Sequence, residues 1–93
     1  MVGTTTGPFA WVECPGGLVA ETRTRAGTRL RGEVRRVGVR WAWSACLFDK
    51  PPQDQRVWIQ MTGETGDLLD ALTRAGAVGH GLLDTPTRPG QPA

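Results

Sequence analysis

Five apolar-polar alternating runs punctuated by Gly and Pro, then one stretch of helical periodicity, predict an α+β fold. The expected architecture is an antiparallel sheet of four to five strands followed by one C-terminal helix packed on one face. With 93 residues there is room for one hydrophobic core, and 39% hydrophobic against 22% charged residues is a globular composition. The expected organisation is a flexible N-terminus over residues 1–8, a single α+β domain over 9–83 and a disordered Pro-rich tail over 84–93.

The runs Phe9 to Glu13, Leu18 to Arg25, Thr28 to Arg36, Val39 to Phe48 and Gln55 to Met61 are rich in Val, Trp, Thr and Ile. Gly16-Gly17, Ala26-Gly27, Val37-Gly38 and Pro51-Pro52 separate them. After Met61 the period changes: Leu68, Leu69, Leu72 and Ala75 fall on one helical face. Thr65 is placed to cap that helix, Asp67 to occupy its first turn and Arg74 its last, with Gly76 and then Gly79 ending it.

Register decides which side chains share a face. A three-residue loop Arg25-Ala26-Gly27, with Gly in the left-handed position, pairs Thr24 with Thr28. Leu18, Ala20, Thr22, Leu30 and Val34 then share one face, and Glu21, Arg23, Arg29, Arg31, Glu33 and Arg35 the other, with Glu21 opposite Arg31. A two-residue Ala-Gly loop would instead mix Arg23 with Val19 and Leu30, burying a charge. Across Val37-Gly38, either a two-residue or a four-residue loop adds Trp41, Trp43, Ala45 and Leu47 to the apolar face and sets Arg35 against Arg40, a like-charge conflict. The last strand is expected to give Val57, Ile59 and Met61 to the core and to turn Arg56, Trp58 and Gln60 outward.

The net charge of +2 conceals a strong asymmetry. Residues 1–22 carry −2 (Glu13, Glu21), residues 23–40 carry +6 (seven Arg less Glu33) and residues 41–93 carry −2. The open sheet face is thus expected to display Arg23, Arg29, Arg31, Arg35, Arg40 and Arg56 with Trp58 and Phe48 among them, and Arg25 and Arg36 at the rim. Guanidinium forks beside flat aromatics suit single-stranded nucleic acid, holding phosphates and stacking bases. The expectation is a small non-enzymatic binding module that contacts single-stranded nucleic acid or a phosphate backbone through this face. The alternative is an accessory or inhibitory protein that uses the same Arg/Trp face to bind a protein partner or to homodimerise.

Catalysis is hard to assemble. Ser44 has no nucleophile-elbow context, Cys14 precedes Pro15, and His80 sits in a Gly-rich turn with no acid beside it in sequence. Asp67 and Asp70 fit the helix macrodipole better than Mg²⁺, and Cys14, Cys46 and His80 lack paired zinc-ligand spacing. No enzyme activity, cofactor or metal is expected. Neither a signal peptide nor an 18-residue apolar run is visible, so the reading is cytoplasmic, with reduced thiols at Cys14 and Cys46 and no membrane contact.

Overall fold

The computed structural model describes residues 4–52 and 54–87. Six strands form one antiparallel sheet in sequence order: β1 (Thr4–Thr6), β2 (Phe9–Cys14), β3 (Gly17–Arg23), β4 (Arg29–Val37), β5 (Arg40–Phe48) and β6 (Val57–Thr65). The helix α1 (Leu68–Leu82) follows and packs mainly over β4 and β5. The class is the expected α+β, with one strand more than expected. That strand is β1, which falls in the segment expected to be a flexible N-terminus: Thr4, Thr5 and Thr6 pair with Trp11, Ala10 and Phe9. Of the expected tail, Asp84 forms an ion pair with Arg25 and the Thr85 amide donates to Leu82 O at 3.1 Å, while residues 88–93 lie outside the described residues.

The β3–β4 hairpin has the expected register, with Arg23 opposite Arg29 and Glu21 opposite Arg31. Gly27 takes φ 86°, a conformation that costs glycine little because it has no Cβ. Thr24 and Thr28 are buried beneath the loop, their hydroxyls 2.7 Å apart, and the Arg25 amide donates to Leu83 O at 2.9 Å, fastening the hairpin to the end of the helix.

The β4–β5 turn keeps the expected faces but slides by two residues. Val37 pairs with Arg40, leaving Gly38-Val39 as the loop, and Gly38 at φ 64° holds the first central position, where a type II′ turn wants glycine. An even slide preserves every side chain's face. It also removes the anticipated clash, because Arg35 now faces Ala42 and Arg40 faces Val37.

The core lies between the sheet and α1. Phe9, Trp11, Leu18, Ala20, Leu30, Val34, Ala45, Leu47, Ala71, Leu72 and Ala75 are its buried members. Trp41 and Trp43, expected to be core, are half-buried and pack against its margin. The large rings at the centre are Phe9 and Trp11, their centroids 5.2 Å apart. They fit because Gly32, on β4, has no side chain: a Cβ there would lie 2.8 Å from Trp11 and 2.9 Å from Phe9.

Gly76 and Gly79 do not end the helix, which runs on to Leu82. Three residues apart, they share a face and present bare backbone to the β1–β2 hairpin. A Cβ on Gly76 would lie 2.6 Å from the backbone of Thr6, and one on Gly79 would overlap the Phe9 ring. Tertiary packing thus offsets the helix-breaking tendency of glycine. A polar relay crosses the same contact: Trp11 Nε1 donates to Thr6 Oγ1 at 2.7 Å, and Thr6 Oγ1 donates to Leu72 O at 2.6 Å. At the other end Asp67, not Thr65, is the N-cap, its carboxylate accepting from the Asp70 amide at 2.9 Å. Thr65 ends β6 instead, and its hydroxyl donates to Asp70 Oδ2 at 2.7 Å.

Candidate interaction face

The sheet face turned away from α1 is built on three adjacent strands whose registers align. Arg31, Cys46 and Gln60 form one cross-strand row, Glu33, Ser44 and Thr62 the next, and Arg35, Ala42 and Glu64 the third. Small side chains along β5 make the floor, so the charged residues of β4 and β6 stand above it. Burial pushes the Cys46 thiol up from its ordinary pKa, keeping the thiolate a minor species on that floor.

The arginines of β4 are engaged in an alternating ladder. Arg29 Nη1 and Arg31 Nη1 each donate to Glu21 Oε2 at 3.3 Å, Arg31 Nη2 donates to Glu33 Oε2 at 3.3 Å, and Arg35 Nη2 donates to Glu33 Oε2 at 3.1 Å. The sequence Arg29, Glu21, Arg31, Glu33, Arg35 is therefore one connected run of opposite charges across β3 and β4. The Arg35 hydrogen bond, opposed by burial and reinforced by Arg31, holds the Glu33 carboxyl below its ordinary pKa. Arg40 Nε donates to Glu64 Oε1 at 3.3 Å on the far side of the floor.

Two shallow recesses flank this ladder. One, of about 390 Å³, lies between Glu33, Arg35, Ala42, Ser44, Thr62 and Glu64. The other, of about 370 Å³, lies among Ala10, Val12, Val19, Glu21 and Arg31, and its Val12 is strongly exposed.

The expected arginines are only partly gathered here. Arg29, Arg31, Arg35 and Arg40 lie on the open face, Arg29 and Arg31 being half-buried rather than fully exposed. Arg23 bends to Gly27 O at 3.1 Å, and Arg25 pairs with Asp84 at the rim. Arg36 shares the parity of Val34 and Trp41 and donates to Gly38 O at 3.0 Å.

The last strand departs from the expected pattern. Leu47 pairs with Ile59 but Phe48 pairs with Val57, so a bulge inserts Trp58 as an extra residue. Trp58, expected to stand outward among the arginines, is half-buried and packs against the core. Val57, expected in the core, is 48% exposed. Arg56, whose carbonyl accepts from the Asp49 amide at 2.8 Å, has its backbone parity turned off the arginine face by the same bulge. Phe48 does belong to that face, but it is 8% exposed and the Arg29 guanidinium covers its ring at 3.8 Å. No aromatic ring among the described residues is thus offered there for base stacking.

Glu64 was missed in the sequence because the last expected strand ends at Met61, where the period changes. The polar alternation Gln60, Thr62, Glu64 was the available signal. Gly63 instead continues β6 beneath the Trp43 indole, where a Cβ would lie 2.6 Å from Nε1.

Among the described residues no group of three or more His, Cys, Asp or Glu is placed to hold a metal ion, and no helix is long and apolar enough to cross a membrane. The chain matches no protein-family model, no curated protein and no solved structure.

Proposed function

We propose that this chain is a cytoplasmic, non-catalytic protein-interaction module whose open sheet face docks a polypeptide carrying charges of both signs. The observation that carries this reading is the ladder from Arg29 through Glu21, Arg31 and Glu33 to Arg35, lying between two recesses with Ala and Val in their walls. Alternating charges confer register and partner choice, and the adjacent apolar pits give a ligand surface to bury. The test compares affinity enrichment by the wild type and by an Arg31→Glu, Arg35→Glu double variant, with the recovered partner purified and titrated. A partner that binds the wild type and loses at least tenfold in affinity for the variant supports the reading, and equal binding of the two overturns it.

Phosphate-backbone binding is the second reading, favoured by Arg23, Arg36 and Arg56, which are exposed and have no carboxylate partner among the described residues. Three phosphate contacts would give a single-strand affinity whose logarithm falls with log salt at a slope of roughly −2. A labelled oligonucleotide titrated at several salt concentrations tests it, and no binding at low salt rejects it.

A further inference from the structure

Six large hydrophobic residues stand exposed among the described residues, and three of them, Val37, Val39 and Leu69, lie at one end of the molecule. Val37 and Val39 flank Gly38 in the β4–β5 turn, and Val39, at 85% exposed, is the barest of the six. Leu69 belongs to the first turn of α1, where the Asp70 carboxylate accepts from Thr65 at the end of β6. The whole stretch Arg35-Arg36-Val37-Gly38-Val39-Arg40 is exposed. Turn geometry asks for the glycine but for neither valine, and polar residues ordinarily fill such a tip. The tip is also braced: the Arg36 amide donates to Gly16 O and Arg36 Nε to Gly38 O, both at 3.0 Å.

We propose that this tip docks on an anionic lipid surface, its valines entering the boundary between headgroups and acyl chains while the arginines beside them hold lipid phosphates. Register sets the cations foremost. Arg36 and Arg40 belong to the last two ladder pairs before the turn, whereas Glu64 is level with Arg35, and Glu33 lies two residues further back. Arg36 faces the helix side and has no carboxylate partner among the described residues. Arg40 faces the open side and meets Glu64 at 3.3 Å, but both side chains are more than half exposed, so a lipid phosphate can take the guanidinium over. Asp67, which follows β6, has its carboxylate turned back on the Asp70 amide at 2.9 Å.

The shape of this end suits a lipid surface better than a duplex groove. β3 ends level with Arg35, the β2–β3 turn reaches Arg36 through the Gly16 carbonyl, and β6 ends level with Arg36. Only the pair of Val37 with Arg40 and the turn itself stand clear, a projection of about 5 to 7 Å at the ordinary strand rise. Amphipathic segments sink roughly 5 to 10 Å at the headgroup boundary, which this projection reaches. A major groove is about 8.5 Å deep and about 12 Å wide, while β3 to β6 span about 14 Å at ordinary strand spacing. The shoulders of the sheet would therefore meet the phosphates before the valines reached a base. A protein partner would need a preformed pit for two branched side chains, whereas lipid closes round any convex tip. The expectation of no membrane contact rests on the missing 18-residue apolar run, which bears on spanning and not on a tip that enters only the headgroup layer.

The tip projects beyond the proposed docking face, so either can fail alone. The test is sedimentation of the full chain with vesicles of equal parts phosphatidylserine and phosphatidylcholine, and with vesicles of phosphatidylcholine alone. The wild type should bind the mixed vesicles, less so as salt rises, and the neutral ones at least tenfold less tightly. Val39→Asp, a change at a side chain almost wholly in water, should lose about tenfold with an unchanged circular dichroism spectrum. Val39→Trp should gain about tenfold, a gain that charge alone does not give. Arg36→Glu should lose about tenfold, whereas Arg31→Glu, on the docking face, should bind vesicles as the wild type does. Absence of binding to the mixed vesicles at low salt overturns the inference, as does equal binding to the two kinds of vesicle or by wild type and Val39→Asp. A duplex oligonucleotide bound more tightly than the mixed vesicles, and weakened by Val39→Asp, overturns it in favour of a nucleic-acid wedge.

Discussion

The two faces of the sheet are held by different physics. On the helix side, Phe9 and Trp11 fill space that Gly32, Gly76 and Gly79 leave open, and a missing Cβ matters as much as a present ring. On the open side, Glu21 and Glu33 bridge three arginines at 3.0–3.3 Å in pairs whose side chains all keep part of their surface exposed. Close-packed contacts are intolerant of single methylenes, whereas exposed ion pairs contribute little each and can be re-paired. The helix side therefore sets stability, and the open side is left to vary with whatever it meets.

The largest test of this contrast is Trp11→Ala. Removing a fully buried ring and orphaning the Thr6 relay should destabilise the domain by about 3 to 5 kcal/mol, measured by chemical denaturation. Next comes Gly79→Ala, whose new Cβ runs into Phe9 and should cost about 1 to 3 kcal/mol despite the better helix propensity of alanine. Trp43→Ala should cost less than Trp11→Ala, about 1 to 2 kcal/mol, since the indole is already half in water. If the two tryptophans cost the same, the core extends further toward β6 than its burial indicates. Gly81→Ala, in the same helix but with open space around the new Cβ, should stabilise by up to about 1 kcal/mol, and thermal melts of the two glycine variants should move in opposite directions.

The smallest effect is expected on the open face. Glu33→Gln should lower stability by less than about 1 kcal/mol at neutral pH. Because Arg35 and Arg31 hold the folded-state pKa of Glu33 below its unfolded value, the unfolded chain binds more protons in that range. The contribution is therefore complete above the unfolded glutamate value of roughly 4.3 and is lost as pH falls through the folded value. Melting temperatures of wild type and variant should differ at neutral pH and converge in acid; a gap that persists in acid would mean that the ladder is not what Glu33 supports.

The antiparallel sheet followed by one helix, the β3–β4 register and the division of β3 to β5 into an apolar and an arginine face were legible in the chain, whereas β1 was not. Each follows from period-two alternation together with one left-handed glycine at position 27, which are local properties. The same locality explains what was not legible. Gly76 and Gly79 read as helix stops because their propensity is local, whereas the Thr6 and Phe9 they accommodate lie more than sixty residues away in sequence. Trp58 read as outward because parity counting assumes an unbroken ladder, and a bulge adds a residue without leaving a mark in composition. The arginines of β3 to β5 could be assigned to a face from alternation alone, whereas Arg56, beyond the bulge, could not. Their carboxylate partners could not all be, since Arg40 meets Glu64 only through the pairing of β5 with β6. Periodicity along the chain thus determined which way side chains point. Only the assembled sheet and helix decided which of them are filled in, neutralised or left at an open edge, because those outcomes depend on distances between segments that the sequence does not order.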